Sequence, residues 1–473
     1  MKQRFLLVLF LSIPFLSFSK EKKGNEGYDI QVEIPALKEQ KAFLGRYVMG
    51  KPYSKDSIVL DKKGKGAFKG DENLEEGLFL IYFPNSKYFD FLISDDQKFS
   101  IKVDTTNLPL NIQFTGVEET KDFYDYTKFL IEKQKEHTAK VEAKKTLTDS
   151  IQINAIDAEI SLLGVQLTMK QDELIAKYPK GMLSVFLKGL RMPQEPDYQV
   201  TSSNNPDSLK MRFRYEFYKE HYFDNVNLSD QRYYHTPYVK NNLDTYLNKL
   251  LIQTPDSIIP SALALVEKSG ASDKSFQFMV NYMLDYAVKS KIMGMDKLMV
   301  ELGNRYYLAG KTPWADSTLL SNLKKEIKKV ETSLVGMNAK NIYLADESGQ
   351  YKQLYDLCGE QLTVLYFFEP SCGHCQKTTP VLKDFYEKYK DDKRIKIISV
   401  YLLLDKKEWQ DFIQKYGTGI FTNVWDPERI SHYWEWFDTS TTPMMYVLDK
   451  DKKIIAKKID VETLDMIVKY ELK

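Results

Sequence analysis

Two cysteines separated by two residues, Cys372-Gly373-His374-Cys375, are the stretch of this 473-residue chain whose residue types and spacing point to chemistry. They follow an apolar run, Leu362 to Phe368, whose β-branched and aromatic residues predict a fully buried strand. Glu369-Pro370-Ser371 breaks that strand. Beyond the cysteines, Val381, Leu382, Phe385, Tyr386 and Tyr389 recur at the spacing of one helix face, so both cysteines fall in the first turn of a helix. Unpaired N–H groups, the helix dipole and a protonated His374 all favour a thiolate there, which makes Cys372 a nucleophile near neutral pH. Cys375 is within reach to resolve a mixed disulfide. The chemistry predicted is thiol–disulfide exchange.

A CxxC pair is also half of a zinc site, but a structural zinc normally needs a second pair. The chain has one further cysteine, Cys358, and no second CxxC or HxxxH, so no metal is expected, nor any other cofactor. Cys358 precedes the active-site strand and reads as a bystander thiol.

The elements around this pair need a compartment and a core. Hydrophobic residues at 43% and aromatics at 13% are ample for packed domains, and the length allows about three. The first residues read as a secretory signal ending near residue 19. Lys2 and Arg4 precede an apolar stretch from Phe5 to about Leu16, followed by Ser17-Phe18-Ser19. That stretch is short for a membrane span and is interrupted by Pro14. Export to a periplasm is the expectation. In an oxidising compartment a scaffold pairs its cysteines evenly, so a lone CxxC with one extra thiol fits a catalytic dithiol better. The formal charge is +1 with Lys2 and Arg4 and −1 without them, which suggests neither nucleic acid nor anionic lipid as partner.

In chain order, 20–117 carries short strand patterns at Tyr28–Ile34, Ala42–Met49, Asp56–Leu60, Leu78–Phe83, Phe89–Ser94 and Phe99–Asp104, which predicts a small β-sandwich or barrel. Gly64-Lys65-Gly66-Ala67-Phe68-Lys69-Gly70 resembles a dinucleotide fingerprint at a glance, but its third glycine is one residue late and no strand–helix unit surrounds it; it reads as a turn. Residues 118–330 change to helical periodicity, with a predicted antiparallel pair at Lys121–Lys145 and Ile153–Tyr178. A loop is predicted at Pro193–Asp207 and further helices up to Val335. From 331 to 473 strands and helices alternate. The fold class expected is multidomain: an N-terminal all-β domain, a central all-α domain and a C-terminal α/β domain.

That last domain resembles a thioredoxin fold: the strand, CxxC at a helix start, Pro380 five residues after the second cysteine, and Thr442-Pro443 before a β-hairpin. The extra segment at about Gly417–Thr441 is similar to the TlpA/ResA-like branch of periplasmic disulfide reductases. The whole layout is similar to multidomain envelope proteins of that branch, with a β-domain and a helical domain of unknown function ahead of the redox module. His221-Tyr222-Phe223-Asp224-Asn225, Ser290-Lys291-Ile292-Met293-Gly294 and Thr442–Asp449 are similar to recurrent segments there.

The resemblance implies that Cys372 is the exposed nucleophile and Cys375 the buried resolving thiol. It implies that Pro443 is the cis-proline facing them and that the Thr442 backbone pairs with an extended substrate. Protein disulfides would be the substrates, and a membrane-linked donor the source of electrons. Where thioredoxin has a buried Asp, six residues before its first cysteine, this chain has Tyr366, a poor base; Glu369 is the nearest carboxylate and a candidate replacement. CGHC also occurs in protein disulfide isomerase, whose potential lies near about −180 mV against about −270 mV for thioredoxin, so oxidant and isomerase stay open beside reductase. A peroxidase would want Thr where Glu369 stands. A binding or scaffolding role for the first two-thirds of the chain is the alternative of a different class.

Overall fold

The computed structural model describes residues 27–83, 87–198, 205–270 and 274–473. The expected signal segment lies outside them, as does part of the loop expected at Pro193–Asp207. The chain divides into two compact units. One holds residues up to Lys188 together with His235–Pro237; the other holds Gly189–Tyr234 and Tyr238–Lys473.

The first unit contains eight strands: β1 (Tyr28–Glu33), β2 (Lys41–Val48), β3 (Lys51–Val59), β4 (Lys65–Gly70), β5 (Gly77–Tyr82), β6 (Tyr88–Ile93), β7 (Lys98–Val103) and β8 (Ile112–Thr115). They form two four-stranded sheets, in the orders β4-β1-β7-β8 and β3-β2-β5-β6. In β7, Phe99, Ile101 and Val103 point inward while Lys98, Ser100 and Lys102 face solvent. Ile30, Val32 and Ile101 of one sheet share a core with Leu44, Ile81 and Phe91 of the other, as in a β-sandwich.

The segment Gly64–Gly70 corrects the expectation of a turn. Only Gly64 turns, at φ +76°, where a Cβ would stand 2.3 Å from the Ile34 carbonyl oxygen. Lys65–Gly70 then runs antiparallel to β1 and buries Phe68 completely. Its glycines and lysines hid the strand, because a single inward apolar residue leaves little periodicity to read.

Three helices complete this unit: α1 (Glu118–Lys145), α2 (Ser150–Lys177) and α3 (Met182–Gly189). Helix α1 is fixed to the sandwich by polar contacts. The Thr120 hydroxyl donates to the Leu92 carbonyl at 2.8 Å, and the Ile112 N–H donates to the Tyr124 hydroxyl at 2.7 Å. The helical stretch 118–330 is thus divided between the two units.

The second unit opens with α4 (Pro206–His221), α5 (Gln231–Tyr234), α6 (Val239–Thr245), α7 (Pro255–Lys268), α8 (Lys274–Lys289), α9 (Asp296–Leu302) and α10 (Ser317–Val330). Helices α6 and α9 each run on into a π-helical turn, at Tyr246–Leu250 and Gly303–Tyr307. The α/β domain follows, with β9 (Tyr343–Ala345), β10 (Tyr351–Gln353), α11 (Leu354–Leu357), β11 (Leu362–Phe368), α12 (Gly373–Tyr386), β12 (Ile395–Tyr401), α13 (Lys406–Tyr416), β13 (Thr422–Trp425), α14 (Tyr433–Trp436), β14 (Met444–Leu448), β15 (Ile454–Lys457) and α15 (Val461–Glu471).

Its seven strands lie in the order β10-β9-β13-β12-β11-β14-β15. Strand β11 pairs parallel with β12 and antiparallel with β14. Both of its faces are covered: Val364, Tyr366 and Phe368 enter a core with α12, α13 and α15, while Leu365 and Phe367 enter a second core on the opposite side. Burial on both faces is why Leu362–Phe368 is apolar at every position but Thr363 rather than alternating. Strand β13, inside the inserted segment, was hidden by its brevity.

Candidate active site

The site is built where β11 ends. Pro370 cannot continue the ladder, and the Glu369 carbonyl turns to accept the Cys372 N–H at 3.1 Å. Cys372 is the N-cap of α12, in extended backbone (φ −74°, ψ 117°), and its carbonyl accepts the Gln376 N–H at 3.0 Å. The Gln376 side-chain amide donates back to the Pro370 carbonyl at 2.8 Å and braces the turn. Across from this turn, the Thr442–Pro443 peptide bond is cis. The Cys372 thiol donates to the Thr442 carbonyl oxygen at 3.2 Å. Chain positions seventy residues apart therefore meet at the nucleophile.

The two thiols differ in environment. Burial works against a Cys372 thiolate, but hydrogen bonds from Thr442, from the backbone at Cys375 and His374 and from the Cys375 thiol outweigh it, so its pKa falls below that of an ordinary cysteine. Cys375 has no solvent exposure, and burial pushes its pKa up to about 12. An accessible thiol that ionises readily beside a buried one that does not is the arrangement of an attacking and a resolving sulfur.

Of the residues singled out from sequence, Cys372, Cys375, Thr442 and Pro443 are brought together. His374 stands in the same turn with its imidazole exposed; what it gives Cys372 in this geometry is a backbone hydrogen bond. Glu369 is half-buried, and its contacts with the pair run through its backbone to Cys372 and Cys375. Cys358 is part-buried, with its thiol donating to the Leu354 carbonyl at 3.3 Å. Beneath Cys375, the hydroxyls of Tyr366 and Thr379 lie 2.8 Å apart. Nothing in the apolar pattern singles out Gln376 or Thr379. Their only sequence signal is position, one and four residues after Cys375 on the same helix.

Among the described residues, no group of three or more His, Cys, Asp and Glu is placed to hold a metal, and no helix is long and apolar enough to cross a membrane.

Residues 359–454 match the family described as thioredoxin-like. Residues 28–123 and 204–348 match two families described as domains of unknown function, DUF4369 and DUF5106. The chain is 26% identical over 144 residues to the thiol-disulfide oxidoreductase ResA of Bacillus thuringiensis, an overlap covering 30% of this chain and 78% of that protein. It is 39% identical to a domain of a possible thiol-disulfide isomerase from Cytophaga hutchinsonii, covering 29% of this chain and 93% of that one, with a TM-score of 0.27. A thioredoxin-like protein from Bacteroides caccae is 18% identical over 59% of this chain and 98% of its own, with a TM-score of 0.44. The C-terminal domain is thus thioredoxin-like and similar to thiol–disulfide oxidoreductases, and it follows two domains of unknown function.

Proposed function

We propose that this protein is an exported reductase of protein disulfides that works through the Cys372/Cys375 dithiol. The observation that carries this reading is the Cys372 thiol at the start of α12, part-exposed and aimed at the Thr442 carbonyl, with Cys375 buried behind it. In the forward reaction the Cys372 thiolate attacks one sulfur of a substrate disulfide. A mixed disulfide forms and the first substrate thiolate leaves. Cys375 then attacks Cys372, the second substrate thiolate leaves, and two electrons have passed from the dithiol to the substrate.

The Thr442 backbone pairs with an extended segment of the substrate, next to Pro443. The Glu369 carboxylate accepts the Cys375 proton. The reductant direction is what the resemblance to the TlpA/ResA-like branch implies. A lowered Cys372 pKa stabilises the reduced form and by itself makes the couple more oxidising, so the potential decides the direction. A membrane-linked donor on the far side of an exported protein would restore the dithiol.

The deciding measurement is the equilibrium redox potential of the full chain in glutathione buffers, with a Cys372→Ser, Cys375→Ser control. A value at or below about −250 mV is expected for a reductase. A value of about −120 to −180 mV would make the protein an oxidant or isomerase instead, and the absence of a two-electron couple would overturn the enzymatic reading. Export is tested separately: in cell fractions the mature chain should be periplasmic and begin near Lys20.

A further inference from the structure

Thr442 has two duties at the site. Its carbonyl oxygen accepts the Cys372 thiol at 3.2 Å, and in the proposed reaction its backbone meets the substrate. Yet residues 437–443 belong to no helix or strand, so other hydrogen bonds must hold them. Asp438 supplies several. It is 3% exposed, its carboxylate accepts the Ser440 hydroxyl at 2.6 Å and it pairs with Lys458 at 2.8 Å. Its N–H donates to the Tyr446 hydroxyl at 2.8 Å. Tyr446 is itself fully buried on β14, with the rings of Phe367 and Phe437 edge-on to it.

The rest of the arrangement comes from outside the redox sheet. Ser333 is fully buried three residues beyond α10, the last of the central helices, and its hydroxyl meets that of Tyr446 at 3.3 Å. The Ser333 carbonyl accepts the Lys457 ammonium at 2.8 Å. Lys457 is the cross-strand neighbour of Tyr446 and forms an ion pair with Asp296 in α9. Thr332 places its hydroxyl 3.0 Å from the Glu435 carbonyl and 3.2 Å from the Trp436 carbonyl, at the end of α14. So short a helix leaves its last carbonyls without partners of its own, and the one hydroxyl proton can serve either.

The pair is also tied firmly behind. The Ser333 N–H returns to the Val330 carbonyl of α10 at 3.0 Å. Ile327 of α10 packs so closely on Gly303, just past α9, that a Cβ there would stand 2.3 Å from its side chain. Thr332 at Glu435–Trp436 and Ser333 at Tyr446 thus bracket the stretch where the chain leaves α14 for Asp438.

We propose that Thr332 and Ser333 are positioning residues through which the central helices hold the Asp438–Thr442 segment in register for an extended protein substrate. This deepens the reductase reading above and rests on it. The helical domain then contributes to substrate binding without touching either the substrate or Cys372. The sulfur chemistry is left as it is; what depends on the strap is the docking of a substrate backbone.

The experiment compares two disulfides on the full-length protein. The first, 5,5′-dithiobis(2-nitrobenzoate), has no backbone to dock and is followed by stopped flow with the reduced protein. Attack by Cys372 releases one thionitrobenzoate; resolution by Cys375 releases the second, and a Cys375→Ser control identifies that phase by losing it. The second is insulin, reduced at saturating dithiothreitol and varied to separate KM from kcat. A Thr332→Val, Ser333→Ala variant should raise KM for insulin about tenfold, the loss expected for two hydrogen bonds. Its kcat and both thionitrobenzoate phases should stay within about twofold of wild type. Thr332→Val alone should show part of the rise, and Thr332→Ser, which keeps the hydroxyl, none.

A double variant with the wild-type KM for insulin would overturn the proposal. So would equal slowing toward both disulfides, which reports general damage to the site. A wild-type protein that releases both thionitrobenzoates but reduces no insulin would remove the protein-substrate reading beneath the proposal. Failure to release any thionitrobenzoate would remove the dithiol reading itself.

Discussion

Lys457 and Asp296 form an ion pair inside the second unit, joining the last residue of β15 to the first turn of α9. Lys457 is 2% exposed and Asp296 18%. The ammonium also donates to the Ser333 carbonyl at 2.8 Å, and the Lys457 N–H donates to the Met293 sulfur at 3.4 Å. Burial lowers the Lys457 pKa, and Asp296 works against that shift. The central helices and the redox sheet thus share a charge pair that neither could leave behind cheaply.

Removing one partner leaves a buried charge without compensation. Asp296→Ala should cost about 3–5 kcal/mol, read as a lowered urea midpoint for the full chain. A Lys457→Met, Asp296→Leu double variant, apolar and similar in volume, should recover most of that loss. A double variant no more stable than Asp296→Ala would show that the loss comes from packing rather than from the unpaired charge.

The raised pKa of Cys375 sets a pH dependence for the reduced protein. In the unfolded chain this thiol titrates near its ordinary 9.0; in the folded protein it titrates at about 12. Below pH 9 both states hold the proton and stability does not depend on it. Between those values the unfolded state has lost a proton that the folded state keeps. Stability therefore falls with rising pH by up to about 1.4 kcal/mol per unit from this group alone. Urea midpoints measured from pH 8 to 10.5 should decline more steeply for reduced wild type than for Cys375→Ser. The buried tyrosines contribute equally to both and cancel. Parallel curves would show that Cys375 is not held protonated.

Glu369→Gln tests the proton acceptor. General-base assistance accounts for about 10²-fold or more where it operates, so the resolving phase at pH 7 should slow by at least about tenfold while attack by Cys372 is spared. A variant with the wild-type rate and pH profile would remove the carboxylate from the mechanism, leaving Glu369 its backbone role at the turn.

Much of the site was legible because its signals are local. The buried strand, the break at Glu369-Pro370-Ser371 and the paired cysteines at a helix start all lie within some twenty residues, and helix and strand periodicity carries such stretches. The meeting of Cys372 with Thr442 is not local; seventy residues separate them, and it was reached through resemblance rather than spacing. Thr379 was invisible because a hydroxyl on a buried helix face looks like any tolerated polar residue until its partner on β11 is placed. In the β-domain, β4 escaped notice because Gly66 and Gly70 removed the side chains that make alternation readable, and the β1 partner that holds β4 lies more than thirty residues away.

The difference between the two cysteines should be measurable directly by alkylation. Only the thiolate reacts, and at neutral pH the thiolate fraction drops tenfold for each unit that the pKa rises. With Cys375 at about 12 against an ordinary 9.0, its thiolate population is lower by about a thousandfold than that of a free cysteine, before any steric shielding is counted. Cys372, lowered from 9.0, should react faster than a free cysteine. Cys358, part-buried and raised by its burial, should fall in between. Brief iodoacetamide treatment of the reduced native protein at pH 7, followed by peptide mass spectrometry, should therefore label Cys372 almost alone. Cys375 should be labelled only after unfolding. Equal labelling of the pair in the folded protein would contradict the division into attacking and resolving thiols, whatever the redox potential proved to be.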